Sequence, residues 1–323
     1  MPRVSVVIPT NNRAALLRGA LDSVLAQTYR DFEVVVVDDG STDETPDLLS
    51  GYGAPVRSIR KPHQGLSEAR NAAIRASQGQ LIAFLDSDDL WTPTKLERQI
   101  ELFDEDPTLG LVYCDAEIFE CGTGRVLGLY SWTHPPHEEH ALAQLFLCNF
   151  IPTLTVVVPR KVFDEIGGFC DAEWVAPDFD MWLRIAARYR IRAVREPLAR
   201  RRKHAGMITH SWDWQRQLSR RLTAIERAVK REPQRLACLQ KQAEVNRLLR
   251  MGRSLSSEGR LSEARTLFFR AIRLQPHSLL PYAHWIGSLA GARCLGAVAR
   301  LRHMVREGQL ADPTPACCRP ARH

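Results

Sequence analysis

An α/β fold, a doubly wound and mostly parallel sheet with flanking helices followed by a small all-helical C-terminal region, is what this sequence predicts. Over the first 85 residues, apolar runs alternate with amphipathic segments. The runs themselves, such as VSVVI and EVVVV, are short, continuous and β-branched, the mark of strands covered on both faces. After Trp212 no strand-like run occurs, and Ala, Leu, Arg and Gln dominate.

In chain order, strands are expected at Val4 to Ile8, Val34 to Val37, Val56 to Ile59 and Leu81 to Leu85. Helices are expected at Leu16 to Leu25, Thr45 to Leu49 and Glu68 to Ala76. From Leu109 to about Lys203 the pattern loosens, with strands at Leu111 to Phe119, Leu154 to Val158 and Ile191 to Val194. Helices are expected there near Ala141 to Cys148, Arg160 to Ile166 and Asp178 to Arg188. The expected organisation is an α/β domain over 1–210, a helical extension over 211–311 and a disordered tail over 312–323. Within the extension, LLRMGRSLSSEGRLSEARTLFFRAIRLQP resembles one tetratricopeptide unit, with Gly259 between two helices and Ala264, Phe268 and Ala271 on its packing face. A single unit cannot bury its own core, so packing on the first domain or a homodimer through the helical region is expected.

Of the 323 residues, 45% are hydrophobic and 25% charged, which excludes disordered and fibrous classes. The eight cysteines form no CxxC pair and no signal peptide precedes Val4, so reduced thiols and a cytoplasmic setting are expected. The longest apolar stretch, around Leu279 to Ala292, contains Pro281 and His284 and falls short of the roughly 20 residues of a membrane span. The net charge of +7 is concentrated in Arg195 to Glu232, and the remainder is formally neutral. That stretch suits a solvated helix face or peripheral contact with an anionic inner membrane face; it lacks the aromatic interleaving of a nucleic-acid surface.

The chemistry lies in two acidic clusters. Asp38-Asp39-Gly40-Ser41-Thr42-Asp43-Glu44 ends a buried strand and opens a helix, and Ser41 with Glu44 has capping-box spacing. Capping does not account for Asp38 and Asp39, which fall at the strand's ligand-facing end. A second strand, LIAFL, runs into Asp86-Ser87-Asp88-Asp89, while the next helix has its own start signal in Thr92-Pro93. Like charges so close repel, and such a cluster persists where a cation occupies it; an oxygen-only set points to Mg²⁺ or Mn²⁺. Few carboxylates suffice when the ion is shared with substrate phosphates, which implies a nucleotide-linked substrate. Neither GxxxxGK[ST] nor GxGxxG occurs, which argues against a P-loop ATPase or a Rossmann dehydrogenase.

Together, VSVVIPTNNR, SVLAQTYRDFEVVVVDDGSTDET, GLSEARNAAIRASQGQLIAFLDSDDLW and APDFDMWLRIA resemble the family 2 inverting glycosyltransferases, of GT-A fold, over roughly residues 1–210. The resemblance implies that Pro9, Thr10 and Asn12 close the first strand beside the nucleoside, that Asp39 bonds a uracil ring, and that Asp38 neighbours it. It places Arg70 near the nucleotide, Asp88 near the ribose, and Asp89, with Asp86 as alternative, on the metal and diphosphate. His204, after the basic run Arg200 to Lys203, is similar to a residue that touches the diphosphate, and it joins Asp89 and Asp86 in the implied metal set. Asp178 matches the general base that deprotonates the acceptor hydroxyl, with Asp180 as the runner-up.

The activity so implied is transfer of a sugar from a nucleotide-diphosphate sugar, UDP-linked, to the hydroxyl of a glycan, lipid-linked or protein acceptor. One departure is Pro177, where the family carries Glu. A sugar-1-phosphate nucleotidyltransferase is disfavoured because IPTNNRAA lacks that class's Gly-rich loop. The remaining competitor is a catalytically lapsed nucleotide-sugar binder or scaffold working through its helical tail. His134-Pro-Pro-His137-Glu-Glu-His140 reads as an acceptor loop, because its prolines prevent i, i+4 metal geometry. Trp91, Trp132, Trp174 and Trp182 offer sugar-stacking faces or core packing.

Overall fold

The computed structural model describes residues 1–170, 176–204 and 213–289. Trp174 and the expected tail at 312–323 lie outside them. The described residues fall into two compact units, one of residues 1–145, 149–170 and 177–204, the other of 146–148, 176 and 213–289.

In the first unit the strands are β1 (Val4–Thr10), β2 (Phe32–Asp39), β3 (Val56–Lys61), β4 (Leu81–Phe84), β5 (Leu90–Trp91), β6 (Leu111–Glu120), β7 (Val126–Leu129), β8 (Val157–Pro159) and β9 (Ile191–Lys203). The helices are α1 (Ala14–Leu25), α2 (Thr45–Ser50), α3 (Leu66–Ala76), α4 (Lys95–Glu105), α5 (Ala141–Leu147), α6 (Arg160–Ile166) and α7 (Pro177–Arg188). The sheet order is β3-β2-β1-β4-β8-β6-β9-β5, with β7 paired to β6. Strands β3, β2, β1 and β4 are mutually parallel, as the both-face burial of β1, β2 and β4 predicts; all seven residues of β1 are buried. Beyond β4 the sheet turns mixed: β8 is antiparallel to both β4 and β6, and β9 is parallel to β6.

Successive residues face opposite sides of this sheet. Val112, Cys114 and Ala116 of β6 join Ala83, Leu85 and Val157 in the core that includes Leu17 and Leu21 of α1 and Leu96 and Ile100 of α4. On the other side Phe84 packs edge-on against Phe163, Phe169 and Trp182, so α6 and α7 cover that face. The loop between α3 and β4 lies close against β1 at Gly79, where an added Cβ would lie 2.6 Å from the Ser5 backbone nitrogen.

Three elements differ from the sequence expectation. Thr153–Thr155 is a 3-10 turn, closed by the Thr155 amide and hydroxyl on the Pro152 carbonyl, so the strand expected from Leu154 begins only at Val157. Strand β9 runs nine residues past Val194, through the basic stretch, because β6 pairs it on one side and β5 on the other. Its arginines find cover on an aromatic ring: Arg200 and Arg202 lie 4.7 and 5.0 Å from the Phe119 centroid. The capping box is not used. Ser41 Oγ accepts from the Asn12 amide, and it is Asp43 that accepts from the Thr45 amide at 3.0 Å at the start of α2.

The second unit contains helices Trp214–Arg231, Gln240–Ser257, Leu261–Leu274 and Leu279–Leu289. Gly259, at φ +78°, ends one helix and admits the next. Ala264, Phe268 and Ala271 are buried against Leu248, Leu249 and Leu255, and a Cβ on Gly252 would sit 2.4 Å from the Phe268 ring. Leu279, Tyr282, Ile286 and Leu289 form an exposed stripe at helical spacing. No described helix is long and apolar enough to cross a membrane.

Candidate active site

The parallel register brings the carboxyl ends of β1, β2 and β4 side by side, and the end of β9 reaches the same place. Thr10 stands opposite Asp38 in the β1–β2 pair, and Pro9 opposite Val37. The loop after β1 turns through Asn12, held at φ +53°, which Asn tolerates better than most residues. Its side-chain oxygen accepts from the Thr42 and Asp43 amides at 2.7 and 3.2 Å, so Asn12 ties the β1–α1 loop to the β2–α2 loop.

Asp38 and Asp39 are both buried but differently engaged. Asp38 Oδ1 accepts from the Ser41 amide at 2.9 Å, whereas Oδ2 has no hydrogen-bond partner among the described residues, and Arg60 Nε lies 3.5 Å away. Asp39 accepts from Lys61 Nζ and the Gln64 and Gly65 amides at 2.8–2.9 Å, and His63 Nδ1 lies 2.8 Å from Oδ2. Any contact of Asp39 with a base must therefore share or displace one of these donors. Gly40 lets the loops meet: it has φ +78°, and a Cβ there would lie 2.8 Å from the His63 nitrogen.

Burial alone would raise the Asp39 carboxyl, but the bonds from Lys61, Gln64 and Gly65 outweigh it, and the net shift is below the ordinary 3.8. A depressed folded-state value contributes stability that is fully present above the unfolded value and is lost as pH falls through the folded one. Asp39→Asn is accordingly expected to destabilise the protein at pH 7, and by a smaller gap at pH 3, below the unfolded value. Urea midpoints at both values test this; an equal gap at both would refute it.

The second acidic cluster is knitted to arginines and a histidine. Arg70, buried on α3, donates to Asp86 at 2.7 Å and lies 5.4 Å from the Phe169 ring centroid. His204 Nε2 is 3.0 Å from Asp88 Oδ2, and Arg13 Nη1 is 3.7 Å from the same oxygen. Asp89 accepts from the Arg202 amide at 2.7 Å, and Arg202 Nε donates to the Asp88 carbonyl. Burial, reinforced by the negative charges of Asp88 and Asp86, pushes the Asp89 carboxyl well above the usual carboxylate range. A cation beside it would relieve that cost. Among the described residues no group of three or more His, Cys, Asp or Glu is arranged to hold a metal ion. The oxygen-only set of Asp89 and Asp86 fits a hard divalent cation that takes its other ligands from a substrate diphosphate.

Among the described residues Thr10 Oγ1, Asp38 Oδ2 and Arg70 Nε are buried without hydrogen-bond partners, although such atoms are nearly always satisfied in folded proteins. All three belong to this edge of the sheet, where a polar ligand would complete them.

Asp178 sits in the first turn of α7, directly after Pro177, with Oδ2 3.4 Å from Asn149 Nδ2. Pro177 is accommodated at the first helical position. Asp180 is different: it is buried and accepts from Arg184 Nε at 3.0 Å, and Arg184 in turn donates to the Ile166 and Gly168 carbonyls. It is a structural acid, leaving Asp178 as the available one. Trp91 and Trp182 are buried and Trp132 is exposed. Sequence reading did not single out Arg13 and Asn149; only their places next to Asn12 and before the 3-10 turn marked them.

A sheet whose carboxyl edge gathers carboxylates, arginines and unsatisfied buried polar atoms defines a nucleotide-dependent group-transfer protein. Residues 5–167 match the model of Glycosyl transferase family 2. An uncharacterized glycosyltransferase of Rickettsia prowazekii (strain Madrid E) is 30% identical over 217 residues, covering 65% of this chain and 67% of that protein. The structure of S. aureus TarS 1–349 in complex with UDP-GlcNAc is similar at TM-score 0.61 and 18% identity, covering 96% of this chain and 93% of that one. Mannosyltransferase PcManGT from Pyrobaculum calidifontis, in complex with GDP-Man and Mn²⁺, is similar at TM-score 0.55 and 21% identity, covering 90% and 86%. The chain belongs to glycosyl transferase family 2 and is a glycosyltransferase of GT-A-like fold.

Proposed function

We propose that the protein moves a sugar, with inversion, from a UDP-linked donor to an acceptor hydroxyl in glycan or surface-polysaccharide synthesis. The observation that carries this is the edge where Thr10, Asp38, Arg70, Asp86, Asp88, Asp89 and His204 converge, with three of their buried atoms left unsatisfied. The base and ribose lie over Thr10, Asp38 and Asp88, and the diphosphate lies toward Asp89, Arg13, Arg202 and His204. Mn²⁺ or Mg²⁺, held by Asp89 and Asp86, would supply charge neutralisation on the departing diphosphate.

The acceptor oxygen attacks the anomeric carbon from the side opposite the diphosphate, and its proton passes to the Asp178 carboxylate, which Asn149 orients. As the new C–O bond forms, the bond to the diphosphate breaks and its electron pair leaves with the nucleoside diphosphate. The cationic Arg13 and Arg202 stabilise the leaving charge.

Calorimetric titration of UDP with and without Mn²⁺, with GDP and dTDP as competitors, tests the donor. The expected result is metal-dependent UDP binding that Asp89→Asn weakens by at least about tenfold. GDP or dTDP preference would correct the donor alone, while absence of any nucleotide binding would overturn the site and favour a scaffold role.

The basic run divides between β9 and helix Trp214–Arg231, so a peripheral, cytoplasmic-face membrane contact rests on that helix. Sedimentation with anionic vesicles that weakens as salt rises is expected; no binding at low salt would refute it. The exposed stripe on Leu279–Leu289 supports self-association of the helical unit.

A further inference from the structure

A cavity lies away from the carboxylate clusters, with a volume of about 210 Å³, lined by Tyr113, Asp115, Tyr130, His134, Phe150 and Arg195 among others. Strand register locates it. Ala83 of β4 and Val112 of β6 both pair with Val157 of β8, and β4 and β6 run in the same direction. Asp86 is three residues beyond Ala83 and Asp115 three beyond Val112, so the cavity opens at the same edge of the sheet as the acidic cluster. The lateral offset between β4 and β6 is two strand spacings, about 10 Å. Tyr113 corresponds in this row to Phe84, which packs in a T-shaped contact on Trp182 of α7. The cavity therefore shares its side of the sheet with the helix that carries Asp178.

A bulge builds this cavity. Cys114 pairs with Val194 but Asp115 with Pro197, so Arg195 and Glu196 are extra residues on β9. Glu196 is taken by Arg98 at 2.9 Å. Arg195 makes no ion pair or hydrogen bond among the described residues and lines the cavity. The Asp115 carboxylate, by contrast, is occupied: Oδ1 accepts from the Ala116 and Ser131 amides and Oδ2 from the Ser131 hydroxyl. Tyr113 is likewise spent on the backbone of His137, and burial holds the His137 imidazole below its ordinary range. What the cavity offers a ligand is one free guanidinium and the stacked rings of Tyr130 and His134, 4.3 Å apart.

We propose that this cavity is an acceptor subsite for an anionic monosaccharide unit, its carboxylate or phosphate on Arg195 and its ring against Tyr130 and His134. The volume suits one sugar ring rather than a drug-sized ligand, and the approximate 10 Å offset places that unit next to the hydroxyl undergoing transfer. The assignment rests on the transferase reading above, with Asp178 as the base.

Saturation-transfer NMR with three probes tests it: methyl β-glucuronide, glucose 6-phosphate and neutral methyl β-glucoside, on the full chain and on Arg195→Gln. Arg195 is exposed, so the substitution spares the core. The expected result is stronger transfer to a charged probe than to the neutral one. Loss of a charge-assisted bond in Arg195→Gln should weaken that binding by about tenfold or more, and added UDP should leave it unchanged. Which charged probe responds separates carboxylate from phosphate. Equal signals from charged and neutral probes, insensitivity to Arg195→Gln, displacement by UDP, or no binding of either charged probe would overturn the subsite. UDP titrated into the same sample separates the two readings. Intact UDP binding with silent glycosides refutes only the subsite, and lost UDP binding refutes the donor site.

Discussion

Asp178→Asn is expected to slow nucleoside diphosphate release in the presence of acceptor by about 10²- to 10⁴-fold, the usual contribution of a positioned base. The amide is isosteric and cannot take the acceptor's proton. Donor affinity should hold, because the carboxylate's hydrogen-bond partner is Asn149 and not a group of the nucleotide edge. Stability should move by less than about 0.5 kcal/mol, as for substitutions away from buried networks. Turnover at the parent rate would remove Asp178 from the mechanism.

Asp180→Ala should do the reverse. The Asp180 side chain is 2% exposed and pairs with Arg184, whose own side chain is 14% exposed. Removing one partner of such a buried pair strands the other charge, at a cost of about 3–5 kcal/mol. Arg184 also holds the Ile166 and Gly168 carbonyls, and the next residue, Phe169, is clamped by Asn71 through its amide at 2.8 Å and its carbonyl at 2.9 Å. The loop between α6 and α7 would loosen, so a fall in activity should track the fall in urea midpoint. An unchanged midpoint would show that the pair contributes nothing. Two carboxylates two residues apart on one helix thus separate into the proposed base and a strut, and burial distinguishes them.

Much of this was legible in the chain. Continuous β-branched runs specified β1, β2 and β4 because strands covered on both faces need apolar side chains in both directions. The surplus of Asp38, Asp39, Asp86, Asp88 and Asp89 over any capping need marked the ligand edge, and parallel strands must end together. Gly259 and the period of Ala264, Phe268 and Ala271 foretold the helix pair. The arginine-rich half of β9 was not legible, because its burial comes from Phe119 and from two neighbouring strands rather than from its own side chains.

What the sequence by itself determined is the order of elements, the parallel half of the sheet and the residue types at its carboxyl edge, all consequences of local periodicity and composition. Only the tertiary structure decided which of those acids are spent and which are available. Asp39 is consumed by a loop, Asp38 keeps one bare oxygen, Asp180 is locked to Arg184, and Arg195 is freed by a bulge. The reason is that hydrogen-bond satisfaction and burial depend on partners far away in the chain, and no local pattern encodes them.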